Sequence, residues 1–86
     1  MAAPTIYIVV DTKTVPDGDG WAVLVNWTQH RDRIKAEARY HSALASAANN
    51  EQYQRASATL MTNYGEVLAC DHYDHEPQTA PETEAE

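Results

Sequence analysis

At 86 residues the chain has room for one domain, and a single cysteine, Cys70, excludes an internal disulfide framework. The net charge of −7 argues against nucleic acid as a ligand, because phosphate binding needs a basic patch. Residues 76–86 (EPQTAPETEAE) hold four of the acids and no base, no aromatic and no large aliphatic residue. Such a segment buries too little apolar surface to offset its chain entropy and is expected to be a disordered acidic tail, which leaves residues 1–75 as the single folded domain. A body of that size buries only roughly 60% of its unfolded surface, so marginal stability is expected and partner subunits are a natural source of further burial.

Ile6 to Val10 is β-branched and aromatic with no helical period, which predicts a first strand. The run Val15-Pro16-Asp17-Gly18-Asp19-Gly20 is a dense turn signal. It also matches part of a calcium loop, but no acid stands at the end of the required twelve-residue span, and a plain hairpin turn is the better reading. Next, Trp21, Val23, Val25 and Trp27 fall on one face of a second strand, against Ala22, Leu24 and Asn26 on the other. The first set is the expected core face, and the two strands form an antiparallel hairpin.

From about His30 to Asn49 the period changes to that of a helix, with Thr28 as the expected N-cap and Asn49-Asn50 as the stop. Ile34, Ala38, His41, Ala45 and Ala48 form one narrow stripe with Leu44 beside it, and this stripe is expected to lie on the sheet. The basic cluster Arg31, Arg33, Lys35 and Arg39 is interrupted by Asp32 and Glu37 and reads as a solvated helix face, with Arg33 and Glu37 at i,i+4 spacing.

Arg55 to Thr62 alternates again, Asn63-Tyr64-Gly65 turns the chain with Gly65 suited to a positive φ, and Glu66 to His72 or Tyr73 forms the fourth strand. The expected fold class is therefore α+β: a ββαββ chain with a four-stranded, antiparallel-rich sheet and one helix packed on one face. A single helix leaves the other face uncovered. That face is expected to display some of Tyr7, Val9, Leu24, Met61, Leu68 and Cys70, and association through it or through the sheet edges follows.

Residues that might carry chemistry are few. Cys70-Asp71-His72-Tyr73-Asp74-His75 is rich in metal-ligand types, yet on a strand Cys70 and His72 share one face while Asp71, Tyr73 and His75 share the other, so no metal is expected. His41 on the helix stripe is expected to be a core histidine rather than a general base, since no orienting acid or nucleophile accompanies it. Cys70 sits among acids and reads as a packing residue. Neither a catalytic set nor a cofactor is predicted, and Tyr7, Trp21, Trp27 and Met61 are the candidate protein-contact residues. The N-terminus MAAPTIYIVV lacks a basic leader and no segment has the length of a membrane span, so an intracellular protein without membrane partners is expected.

The set Ala38-Arg39-Tyr40-His41, Leu44-Ala45, Ala47-Ala48, Ala58, Leu60-Met61, Gly65, Val67-Leu68, Tyr73 and His75 resembles a family of short proteins encoded among the structural and assembly genes of phages and prophages of gut bacteria. The resemblance spans residues 34 to 75. Members tend to carry a second histidine just before the third strand, where this chain has Arg55 nearby. The resemblance implies a phage context, in the cytoplasm of a bacterial host or in the virion, and a virion or assembly role. The small body, the bare sheet face and the missing catalytic set lead to the expectation of a non-enzymatic accessory protein that associates with itself or with another phage or host protein. The alternative expectation is an acidic, anti-CRISPR-like inhibitor that binds a basic surface of a host-defence target.

Overall fold

The computed structural model describes residues 3–50 and 52–75. Five elements follow in chain order: β1 (Tyr7–Asp17), β2 (Gly20–His30), α1 (Arg33–Asn49), β3 (Arg55–Thr62) and β4 (Val67–Asp74). The strands form one antiparallel sheet in the order β2-β1-β3-β4, and α1 lies on one face of it, mainly over β3 and β1. The α+β, ββαββ architecture is as expected. The tail expected at residues 76–86 lies outside the described residues.

The first hairpin is longer and tighter than the turn-rich sequence suggests. Val15, Pro16 and Asp17 continue β1, and Asp17 pairs with Gly20 across a two-residue turn. Gly18 takes a φ of 62° while Asp19 stays negative, the combination of a turn with glycine at its first central position, whose twist matches that of the flanking strands. Pairing with β3 stops at Thr14, and Val15 is opposite Ala22, so residues 15–22 project as a two-stranded arm, and the molecule measures 59 × 28 × 20 Å along its principal axes. At the second hairpin Gly65 has a φ of 91°, as its position in the turn requires.

β2 runs to His30, so the helix starts later than expected. Asp32 is the N-cap instead of Thr28: its carboxylate accepts the Ile34 N–H at 2.9 Å. The helix ends at Asn49 with Asn50 as its C-cap, as expected, and the Arg33–Glu37 pair closes at 3.1 Å.

The buried stripe of α1 is Ala36, Tyr40, Ala43 and Ala47, which corrects the expected stripe of Ile34, Ala38, His41, Ala45 and Ala48. Ile34 is 75% exposed, and His41 is exposed with its ring edge against Tyr40 at 5.3 Å rather than in the core. The true stripe is built around the helix's one large buried side chain, and alanine on either side of it lets the backbone come close to Val9, Ala58 and Leu60. Leu60 and Val9 are the largest fully buried side chains, so the core is thin. Full burial of each contributes about 1.5–3 kcal/mol.

The sheet faces also differ from expectation. Side chains directly opposite one another in antiparallel strands share a face. Val9 stands beside Thr28 on β2 and Leu60 on β3, and Asp11 beside Asn26 and Ala58. The helix therefore lies on the face that carries the odd-numbered positions of β1 and the even-numbered positions of β2, although it leaves Leu24 of β2 54% exposed. Trp21, Val23, Val25 and Trp27, expected in the core, lie on the uncovered face.

Candidate functional site

The uncovered face is graded from one edge of the sheet to the other. On β2, Trp21, Val23, Val25 and Trp27 form an unbroken apolar row, each 59–62% exposed. Beside them on β1 stand Pro16, Thr14, Thr12 and Val10. Further across, polarity rises: the Thr12 and Ser57 hydroxyls meet at 2.6 Å, and the Thr59 hydroxyl donates to the Cys70 thiol at 3.6 Å. At the far edge β4 presents Cys70, His72 and Asp74.

Of the four sequence-derived contact candidates, the structure brings Trp21, Trp27 and Met61 to this face. Tyr7 is on the other, packed against the helix-covered core. Of the further residues expected to be displayed, Cys70 is on the open face, while Val9 and Leu24 are on the helix side. Leu68 falls at the irregularity between Leu60 and Met61 and packs against the core.

The two edges of the sheet carry different backbone surfaces. In a hairpin closed on a two-residue turn, the flanking pair Asp17–Gly20 exchanges both backbone hydrogen bonds, and alternate pairs repeat this pattern. The even-numbered residues of β2 therefore point their N–H and C=O groups at β1, and the odd-numbered ones point theirs outward. The same alternation appears on β1, where the carbonyls of Ile6 and Thr14 face away from β2 and accept from Asn63 and Gln54 at 2.9 and 3.0 Å. Trp21, Val23, Val25 and Trp27 thus carry an apolar side chain on the open face and, along the outer edge, strand groups that have no partner among the described residues.

β4 shows the opposite provision. Its outward-pointing residues are Cys70, His72 and Asp74, and the His72 N–H is taken by the Asp71 carboxylate at 2.8 Å.

A second polar feature lies on the covered face. The Asp11 carboxylate is buried at 4% exposure and accepts from Lys13 at 2.6 Å and from Arg39 of α1 at 3.4 Å, while the Lys13 ammonium sits 5.6 Å from the centre of the Tyr53 ring. The arrangement links α1 to β1 through the ion pair and β1 to the loop before β3 through the cation–ring contact. Sequence reading missed it, because an aspartate after five apolar residues looks like the end of a strand. Tyr40, pressed on the same face, has its phenol pKa raised above the ordinary value by burial first and then by the Asp71 carboxylate, Cys70 and Tyr73.

The histidines do not converge. His30 pairs with the Thr28 hydroxyl at 2.9 Å, His41 is on the helix surface, and His75 meets the Ala47 carbonyl near the end of α1 at 2.9 Å. Among the described residues no group of three or more His, Cys, Asp or Glu side chains is placed to hold a metal ion, and no helix is long and apolar enough to cross a membrane. An open depression lined by Ile6, Gln29, His30 and Arg31 has no nucleophile.

No family model, no curated protein and no solved structure matches the chain.

Proposed function

We propose that this is a non-enzymatic accessory protein, of the kind phages encode among their structural and assembly genes, that acts by protein–protein contact through the open face of its sheet. The partner is a second copy or another phage or host protein, and the setting is the cytoplasm of a bacterial host or the virion. One observation carries the reading: two tryptophans and two valines stand side by side on an uncovered strand, each more than half exposed. Contiguous apolar rows of this kind mark contact surfaces, and tryptophan is enriched among the residues that dominate binding energy. The likeness of residues 34–75 to phage assembly-cluster proteins supports the setting.

The acidic-inhibitor alternative has weaker support. Residues 76–86, outside the described part of the chain, carry four acids and no base and so supply more than half of the net charge of −7.

The test compares wild type with Trp21→Arg/Trp27→Arg, changes at exposed positions that leave the covered core intact. Light scattering over a wide concentration range and affinity capture from phage-producing cells are the readouts. The wild type should form a stoichiometric complex, with itself or with a partner, and the double variant should lose it while keeping its circular dichroism spectrum. Complex formation of equal strength by both proteins sinks the reading, as does a wild type that forms none.

A further inference from the structure

Resting on the contact reading above, we infer that the occupant of the row is a second copy of this chain, joined edge to edge. Two β2 strands pair antiparallel about a two-fold axis at Leu24 and merge the two four-stranded sheets into one of eight strands.

The first support is the edge itself. From Gly20 to Gln29, β2 contains no charged residue and no proline, and it pairs with β1 without a register shift. Charge, proline and bulges are the devices by which a protein keeps an outer strand from pairing. Their absence along so long a strand, on a sheet whose other edge carries charge and a register shift, marks β2 as an edge meant to be covered.

The second support is self-complementarity, which a two-fold interface demands because one patch must fit its own copy. The row Trp21-Val23-Val25-Trp27 reads the same in both directions about Leu24. An antiparallel partner centred there sets Trp21 against Trp27 of the second copy and Val23 against Val25, with Leu24 facing Leu24 across the axis. Aromatic and β-branched cross-strand pairs of this kind are the stabilising unit of a sheet. The backbone agrees with the side chains. The paired residues are the odd-numbered ones, whose N–H and C=O groups already point outward, so the strands can exchange hydrogen bonds with no change in either protomer.

The third support is the arm. Residues 15–22 extend past β3 as two strands, and an isolated two-stranded ribbon is marginal in water. In the paired arrangement the Trp21 end of each arm lies against the Trp27 end of its copy, where the sheet is backed by β1 and β3. Among the described residues nothing obstructs the join on the helix side. With strands about 4.8 Å apart and each helix over β1 and β3, the two helices are separated by about 20 Å, twice the packing distance of about 10 Å. Within this chain, residues 76–86 contain no large apolar side chain with which to cover the row instead.

The test is disulfide trapping in a Cys70→Ser background, which removes the native exposed thiol. A Leu24→Cys pair at the axis occupies a non-hydrogen-bonded site with Cα atoms about 4.5 Å apart, within reach of a disulfide. A Val25→Cys pair lies on a diagonal about 7–8 Å apart and is out of reach. Light scattering on wild type should give a dimer. Leu24→Cys should cross-link to dimer at least tenfold faster than Val25→Cys at equal concentration under mild oxidation.

A dimeric wild type in which Val25→Cys links as fast, or neither variant links, overturns the edge pairing and leaves the contact reading standing. A wild type that is monomeric throughout overturns the inference as well, and the contact reading then depends on whether capture yields a partner that the tryptophan double variant fails to hold.

Discussion

The two outer strands of this sheet solve the same problem in opposite ways. On β4 the outward residues include His72 and Asp74, Asp74 lies 3.9 Å from Arg55 across the strands, and the Asp71 carboxylate occupies the His72 N–H. A strand from another molecule docking there would have to displace a hydrogen bond and desolvate charge. On β2 the outward residues are two tryptophans and two valines, and their backbone groups are unobstructed. Exposed apolar strand edges are aggregation sites unless they have a use. The chain thus guards one edge with charge and leaves the longer one apolar and open, and the contact proposed for it falls on the open one.

The sharpest way to break this comparison is to move a guard from one edge to the other. Val25→Lys places a cation in the middle of the apolar row at a position already 62% exposed, so the monomer keeps its fold. In the paired dimer the two introduced ammonium groups sit on a diagonal across the axis, where they repel. Self-association should weaken at least about a hundredfold, equivalent to about 2.7 kcal/mol. His72→Lys, the same charge on β4, should leave the mass unchanged at every concentration. Light scattering of the two variants decides it, and equal effects would mean that the edges do not differ in use.

A second contrast is between the two faces. On the open face charge is sparse toward β2, whereas the covered face buries Asp11 between Lys13 and Arg39. The two cations are not equivalent to their partner: their side chains are 22% and 31% exposed, against 5% for the carboxylate. Replacing Lys13 and Arg39 together by methionine leaves a buried carboxylate without its cations and should cost about 2 kcal/mol in urea unfolding, below the 3–5 kcal/mol seen for fully buried pairs. Asp11→Asn should cost less, since both cations can turn to water. A double variant as stable as wild type would show that the cluster does not hold the helix in place.

How much of this was legible depended on how many residues constrained each choice. Strand and helix identities followed from period alone, and glycines 18 and 65 announced their turns because few other residues accept a positive φ. The face of β2 was not legible. Alternation divides a strand into two sets without saying which one meets the helix, and Trp21, Val23, Val25 and Trp27 are the more apolar set. The decision came from β1, where Val9 opposite Leu60 set the covered side and register carried it to Thr28. The helix phase failed for a similar reason. Alanine lies on nearly every side of α1, so a stripe drawn through Ile34 and His41 looks as good as one drawn through Tyr40. The useful signal was size, because stepping three or four residues from Tyr40 reaches Ala36, Ala43 and Ala47. Trp21 and Trp27, which the same reading placed both in the core face and among the contact candidates, thus stand on the open side of the sheet.

The smallest expected effect appears only in alkali, and it separates the covered face from the open edge by chemistry rather than by mutation of the edge. Burial, and then Asp71, Cys70 and Tyr73, hold the Tyr40 phenol protonated beyond its ordinary pKa of about 10. In the unfolded chain that phenol ionises near its ordinary value, so above about pH 10 the folded state binds more protons than the unfolded one. Stability from this group is therefore complete below about pH 10 and is lost as the pH rises through the higher folded value. Urea unfolding at pH 7 and at about pH 11 should show a larger loss for wild type than for Tyr40→Phe, which has no proton to lose. No group from Gly20 to Gln29 ionises in that range, so cross-linking at Leu24→Cys should persist wherever the fold does. Identical alkaline losses in the two proteins would place the sensitivity in a group other than Tyr40, and a dimer that dissociates before the monomer unfolds would show that the contact is not the uncharged β2 edge.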